Sequence, residues 1–258
     1  MSADPGALSR ARYLDLLEKT LQNAIYGESV VETKLKLWLQ RLRHPYLTRR
    51  GAIPWPSRAH SMIGPQRLRN LRTLMERTLH EGVAGDYIET GVWRGGACIL
   101  MRGALAAHGV RDRKVIVADS FEGLPRPDGD KYPDDRRDTA FAFSELAVPV
   151  DEVKKNFASY NLLDDQVIFL KGFFKDSLPT LPADSRFALI RLDGDMYEST
   201  MDALTNLYDK LSKGGFTIID DYGGLKNCAK AVHDYLDQRG LTVDLHKVDD
   251  SCVWWQKA

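Results

Sequence analysis

Over residues 11–27, Leu14, Leu17, Leu21, Ala24 and Ile25 recur at helical spacing ahead of Gly27, which predicts an amphipathic helix with a glycine stop. Over 34–50, Leu35, Trp38, Leu39 and Leu42 share one helical face, with Lys34, Lys36, Arg41 and Arg43 around it. A short basic stretch of this kind reads as a packed helix with a solvated outer face rather than a membrane-surface segment. Pro45, Gly51, Pro54 and Pro56 predict a loop over 45–60, and a further helix is expected over 65–81.

Beyond this point short apolar runs alternate with helical patterns. The runs at 86–90, 114–119, 166–172, 187–193 and 216–220 are strand candidates, and helices are expected over 96–108, 150–160 and 199–211. Strict alternation of this kind argues for a doubly wound parallel α/β sheet. The segments 241–248 and 252–256 have only a short polar turn between them, so an antiparallel hairpin should end the sheet. On the last strand Trp254 and Trp255 point to opposite faces, one toward the core and one free to meet a partner. A parallel sheet ending in an antiparallel strand is the arrangement of class I methyltransferases, a Rossmann-like fold.

Composition narrows the choice of function. The chain has 258 residues, 43% hydrophobic and 28% charged, which fits one folded domain with an extension. Its 36 basic residues balance 36 acidic ones, so no global field draws nucleic acid or an anionic membrane. No apolar run approaches a membrane span and the first residues lack the apolar stretch of a secretory signal, so a cytoplasmic protein is expected. Cys98, Cys228 and Cys252 are far apart and odd in number, which disfavours both a disulfide framework and a thiolate zinc site.

In doubly wound sheets ligands bind beyond the carboxyl ends of the strands. The first strand ends in Glu89-Thr90-Gly91-Val92-Trp93-Arg94-Gly95-Gly96, where Trp93 stands at the place a dinucleotide fingerprint needs its second glycine. Such a turn suits a ligand without phosphates, such as S-adenosylmethionine, met by the Gly91 backbone and the following helix N-terminus. Asp119 and Ser120 end the second strand where an acid commonly meets ribose hydroxyls. Lys171-Gly172-Phe173-Phe174 ends the third, where amides and an aromatic face suit an adenine.

Asp193 and Asp195 close one strand, and Asp220 and Asp221 close the next. If these strands are neighbours, the carboxylates converge, and like charges so gathered need neutralising. A hard dication with oxygen ligands serves, Mg²⁺ first, with Ca²⁺ or Mn²⁺ as alternatives. Coordination would acidify and orient a hydroxyl for attack on a sulfonium methyl. Spacing alone does not separate ligand from base; the assignment taken is Asp193, Asp220 and Asp221 on the metal and Asp195 as the base.

The stretches HSMIG (60–64), IETGVWRGGACI (88–99), VADSFEGLP (117–125), NLLDDQVIFLKGFFKDSLP (161–179), RLDGDMYESTMD (191–202) and GGFTIIDDYGG (214–224) together resemble the macrocin O-methyltransferase family, from about Tyr13 to the C-terminus. The resemblance implies methylation of deoxysugar hydroxyls on macrolide and aminocoumarin antibiotics, with S-adenosylmethionine and Mg²⁺. It implies a three-Asp metal site matching Asp193, Asp220 and Asp221 and a catalytic Asp matching Asp195. Around the cofactor it places Met62, Ile63, Glu89, Thr90, Gly91, Asp119, Ser120, Gly172 and Phe173, with Asp193 beside them. Homo-oligomers are usual in the family, and residues 1–64 are expected as a helical extension or lid on the 65–258 methyltransferase domain.

The basic segment 34–50 and the loop 125–138 match no family pattern, so the acceptor is not specified. Asp128, Asp130, Asp134, Asp135 and Asp138 read as a solvated mobile loop, the alternative being a site for an aminosugar cation. His60, Tyr222 and His233 are secondary candidates near the acceptor. Alternatives to sugar methylation are methylation of a phenolic or catechol hydroxyl, a nicotinamide-dependent dehydrogenase, and a non-catalytic binding protein.

Overall fold

A computed structural model describes residues 6–27, 38 and 55–258; most of the basic segment 34–50 and the start of the predicted 45–60 loop lie outside the described residues. Helix α1 (Ala7–Leu21) begins four residues earlier than the apolar spacing marks and ends well before Gly27, so Ala24 and Ile25 fall in turns. Helix α2 (Gly64–His80) follows, with Pro65 in its first turn, where the missing amide costs nothing. The remaining elements in chain order are β1 (Asp86–Thr90), α3 (Gly96–Ala107), β2 (Val115–Asp119), α4 (Val150–Ser159), β3 (Val167–Lys171), α5 (Phe174–Ser177), β4 (Phe187–Leu192), α6 (Tyr197–Leu207), β5 (Leu211–Ile219), α7 (Lys226–Gln238), β6 (His246–Lys247) and β7 (Val253–Gln256).

The seven strands form one sheet in the order β3-β2-β1-β4-β5-β7-β6. The first five are parallel, and β7 returns antiparallel between β5 and β6. The sheet is the one the sequence predicts. Strand β5 starts five residues ahead of the predicted run, at Leu211, because its pairing opposite Phe187 continues past Gly214 and Gly215. The hairpin is shorter than predicted: only His246 and Lys247 pair with β7, although the apolar alternation runs over 241–246.

Two apolar clusters cover the two faces. On one, Leu14, Leu17 and Leu21 of α1 and Leu68, Leu71, Leu74 and Met75 of α2 pack with α3 and with Tyr87, Val117, Leu189 and Ile218 of the sheet. On the other, Ala203, Leu204 and Leu207 of α6 and Val232, Tyr235 and Leu236 of α7 meet Ile88, Ile190 and Ile219. Helix α1 is therefore part of the main core, and Gly103 marks where it crosses α3: a Cβ there would lie 2.4 Å from Leu17 Cδ2. Trp255 is fully buried, while Trp254 packs edge-on against Phe216 and stacks on His246 at 4.2 Å. Its outer face is thus covered from within the chain.

Helix α3 is fastened to the start of β3 by Arg102, whose Nε and Nη2 donate to Asp164 Oδ1 and Oδ2 at 2.9 and 2.6 Å. The guanidinium holds the Asp164 carboxyl below its ordinary value. A depressed folded value means stabilisation that is present above the unfolded carboxylate range and lost as pH falls through the folded value. Asp164→Asn is expected to lower the melting temperature at neutral pH, with the gap to the parent narrowing below about pH 4 in thermal unfolding scans. A gap that is constant with pH would refute the linkage.

Candidate active site

Alternation along the strands carries one face outward to the carboxyl end of the sheet as a row of charges. Tyr87 is followed on that face by Glu89, Leu189 by Arg191 and then Asp193, and Ile218 by Asp220. Glu89 and Arg191 are register partners on β1 and β4, and β4 neighbours β5, so these side chains meet. Arg191 Nη1 donates to Glu89 Oε1 and, at 2.8 Å, to Asp193 Oδ2, while Nη2 donates to Asp220 Oδ1. The second Asp220 oxygen accepts from Arg67 of α2, whose Nε and Nη2 also fork onto Asp249 at 2.7 and 3.2 Å. Cys98 Sγ completes the chain by donating to Glu89 Oε2 at 2.9 Å.

Within this network the acidic residues differ in their bonding. Asp220 has both oxygens on guanidinium groups and is 3% exposed. Among the described residues, Asp193, Asp195 and Asp221 form a trio whose carboxylate oxygens lie within 4.8 Å of one another. Asp195 takes a left-handed conformation, φ +59°, which a short polar side chain tolerates and which turns the Asp-Gly-Asp bend toward Asp221. Burial and the Asp193 charge push the Asp195 carboxyl up, and burial and the Asp195 charge push Asp221 up further. Asp221 Oδ2 is buried without a hydrogen bond.

The trio lines a cavity of about 660 Å³, within the size range of small-molecule sites. Met62, Ile63, Glu89, Gly91, Asp119, Ser120, Phe173, Asp193, Asp195, Asp220 and Asp221, all expected from the sequence, line it together with His60. Thr90 and Gly172 do not: Thr90 Oγ1 is buried without a partner, and Gly172 donates its amide to Asp119 O at 2.9 Å. Tyr222 and His233 bond one another at 2.8 Å outside the lining.

The glycine turn is built for close backbone approach. A Cβ on Gly91, φ +86°, would lie 1.8 Å from the Asp193 carbonyl oxygen, so this glycine lets the Asp193 bend sit against β1. Its amide donates to Ala118 O at 2.9 Å and is committed to the sheet. Asp119 knits the turn to its own loop, accepting from Val92 and Phe121 amides, each at 2.7 Å.

A strap over 55–63 closes this end. Arg94 Nη1 reaches the carbonyls of Pro56, Ser57 and Ala59 at 3.0, 3.1 and 2.9 Å, and Gly96 donates its amide to His60 O at 3.0 Å. Trp55 meets Phe143 edge-on across the cavity mouth.

The loop expected to be solvated contains a buried anchor, which corrects that expectation for Asp135. Asp135 is 0% exposed and accepts from the amides of Tyr197 and Glu198 at 2.8 and 2.9 Å, satisfying the first turn of α6, and from Asn227 at 2.9 Å. Three acids of the same loop, Asp128, Asp130 and Asp134, remain exposed as expected.

Sequence reasoning missed Arg67, Arg94, Arg191, Glu198 and Asp202 as cavity or network residues. For Arg191 the signal was present: one arginine inside an otherwise apolar strand, FALIRL, needs buried partners. For Arg67 and Arg94 nothing local distinguishes them from surface arginines.

The parallel sheet with an antiparallel edge and a cavity at its carboxyl end, topped by paired acidic bends, defines a class I methyltransferase fold. The family model described as Macrocin-O-methyltransferase (TylF) matches residues 10–257. The chain belongs to this family and is an O-methyltransferase, as the motifs implied, which sets the dehydrogenase alternative aside. It is similar to demethyldecarbamoylnovobiocin O-methyltransferase of Streptomyces niveus, at 47% identity over 95% of this chain and 93% of that protein. It is also similar to a tetracenomycin 4'-O-methyltransferase of Streptomyces olivaceus that acts on an 8-demethyl-8-(2,3-dimethoxy-α-L-rhamnosyl) compound, at 48% identity over 96% of this chain and 93% of that one. Among solved structures the O-methyltransferase NovP matches with a TM-score of 0.85 and 45% identity, covering 96% of this chain and 99% of its own.

Two substitutions test the network. Arg191→Met leaves three carboxylates without their shared cation and is expected to cost about 3–5 kcal/mol in denaturant unfolding; near-parental stability would mean that the charges are solvated. Gly91→Ala forces the Asp193 bend away and is expected to cost at least about 1 kcal/mol and most of the methyl-transfer rate. Parental activity would show that the bend does not need to sit there.

Proposed function

We propose that the chain transfers the methyl group of S-adenosylmethionine to a sugar hydroxyl of a glycosylated natural product, assisted by a divalent cation, Mg²⁺ first. The observation that carries the reading is the clustering of Asp193, Asp195 and Asp221 in the same cavity as the glycine turn. The relatives support the acceptor class, since one acts on demethyldecarbamoylnovobiocin and another on a rhamnosylated tetracenomycin. The proposal includes a cytoplasmic homo-oligomer acting on a small molecule rather than on nucleic acid or a membrane, with residues 1–64 helping to close the site over the 65–258 domain.

The residues fit a hard cation. Asp195 and Asp221 face each other with no guanidinium or ammonium bonded to either among the described residues, and Asp221 Oδ2 lacks any partner. We assign Asp195 and Asp221 to hold the ion and Asp193 to receive the proton. This reverses the sequence-based roles of Asp193 and Asp195 and leaves Asp220 as a buried bridge between two arginines. Asp193 suits a base because Arg191 balances its charge through one oxygen, while the other has no hydrogen bond among the described residues.

A bound divalent cation would supply acidification and orientation of the acceptor hydroxyl. The chain's own groups do the rest. Met62, Ile63, Gly91, Asp119, Ser120 and Phe173 line the end of the cavity proposed for the cofactor, and the strap pinned by Arg94 limits water there. Asp193 takes the hydroxyl proton as the oxygen attacks the sulfonium methyl in line, and S-adenosylhomocysteine leaves.

The test is a mass-spectrometric methylation assay with S-adenosylmethionine, Mg²⁺ and demethyldecarbamoylnovobiocin, alongside a panel of glycosides and catechols. Chelation by EDTA, Asp195→Asn and Asp221→Asn are each expected to lower the rate about 100-fold or more, with Mg²⁺ restoring only the chelated parent. Full turnover in EDTA sinks the cation. Methylation of catechols but of no glycoside moves the acceptor to the phenolic class.

A further inference from the structure

Helix α6 leaves the Asp-Gly-Asp bend directly, and two of its carboxylates, Glu198 and Asp202, line the same cavity. They lie four residues apart and so share one helical face, separated by about 6 Å along the axis. That separation is on the scale of a pyranose ring, and the nearer acid follows Asp195 by three positions. Glu198 is 7% exposed, yet its carboxylate has no hydrogen bond or ion pair among the described residues. Only its amide is used, by Asp135. The residue is buried while its carboxylate opens on the cavity, where no donor among the described residues bonds it.

We propose that Glu198 and Asp202 form the acceptor subsite, accepting hydrogen bonds from neutral sugar hydroxyls beside the one that is methylated, and so set specificity for a polyhydroxylated ring. This rests on the methyl-transfer reading above and adds the residues that recognise the sugar.

The surrounding charges favour a neutral polyol over an aminosugar. Lys131 and Lys175 both act on Glu198 and Asp202, and Lys175 lines the cavity, so positive charge is already supplied. Asp135, Asp128 and Asp176 are the further acids near the pair, and Asp135 is already held by the α6 amides and Asn227. What the pair lacks is O–H donors, and a vicinal diol offers two at fixed spacing. Acceptors on a preformed helix also discriminate against a ligand that lacks the hydroxyl, because Glu198, on the buried side of the pair, is then left without a donor.

Calorimetric titration of the full chain, saturated with S-adenosylhomocysteine, with demethyldecarbamoylnovobiocin and with its sugar-free aglycone tests the subsite. The glycoside is expected to bind about tenfold or more tightly than the aglycone. Glu198→Leu and Asp202→Leu should each reduce the glycoside to the level of the aglycone, with affinity for S-adenosylhomocysteine unchanged. Glu198→Gln, which keeps an acceptor oxygen and the side-chain volume, should recover part of the loss and guards against misfolding. Glycoside binding at parental strength in both leucine variants overturns the subsite, as does a parent that does not distinguish glycoside from aglycone. Tighter binding of an amino-substituted glycoside overturns the neutral-polyol assignment. Methylation of the glycoside by the parent is scored separately: its absence alongside sugar-dependent binding that the variants abolish removes the catalytic reading and keeps the subsite, while turnover with unaffected variants does the reverse.

Discussion

A single guanidinium, fully buried and shared by carboxylates that belong to three neighbouring strands, is the constraint on which the site depends. Arg191 touches Glu89, Asp193 and Asp220, so β1, β4 and β5 end in one electrostatic unit rather than in three independent loops. Burying charge is costly unless it is paired and bonded, and here the pairing extends outward through Arg67 to Asp249 near the C-terminal hairpin. Asp220 is thereby fixed from the side of α2 through both its carboxylate and its carbonyl, while its neighbour Asp221 is left to face Asp195. Within the acidic trio, Asp195 and Asp221 are the two without a guanidinium among the described residues, and they lie side by side.

The fold was legible because its signals are local. Each of the parallel strands is a short apolar run bounded by turn residues, and the lack of a helix between 241 and 256 announced the antiparallel edge. Boundaries slipped where pairing rather than composition decides: Gly214 and Gly215 look like a turn, but β5 runs through them. The pattern at 241–245 looks like a strand, yet β6 takes in only two residues of that segment.

The site was half legible, for the same reason. Strand ends named the acids, and adjacency of β4 and β5 brought Asp193 close to Asp221. Which of them is paired was not readable, because that depends on arginines arriving from elsewhere: Arg67 lies 153 positions from Asp220. Asp135 was hidden likewise. Among five acids in one loop, only the three-dimensional path of α6 selects the one that caps it.

The strap over 55–63 ties the ligand cavity to helix α1. His60 and Ser61 both donate their amides to Leu21 O, the last residue of α1, and the strap then hangs from Arg94. The wall of the cavity is therefore assembled from segments that lie far apart in the chain, and bringing them together carries a loop-closure cost. A ligand that binds this finished wall and not the open chain draws the whole folding equilibrium toward the native state. Occupancy of the pocket thus adds to resistance against heat and proteolysis, by an amount set by how far the ligand's concentration exceeds its dissociation constant.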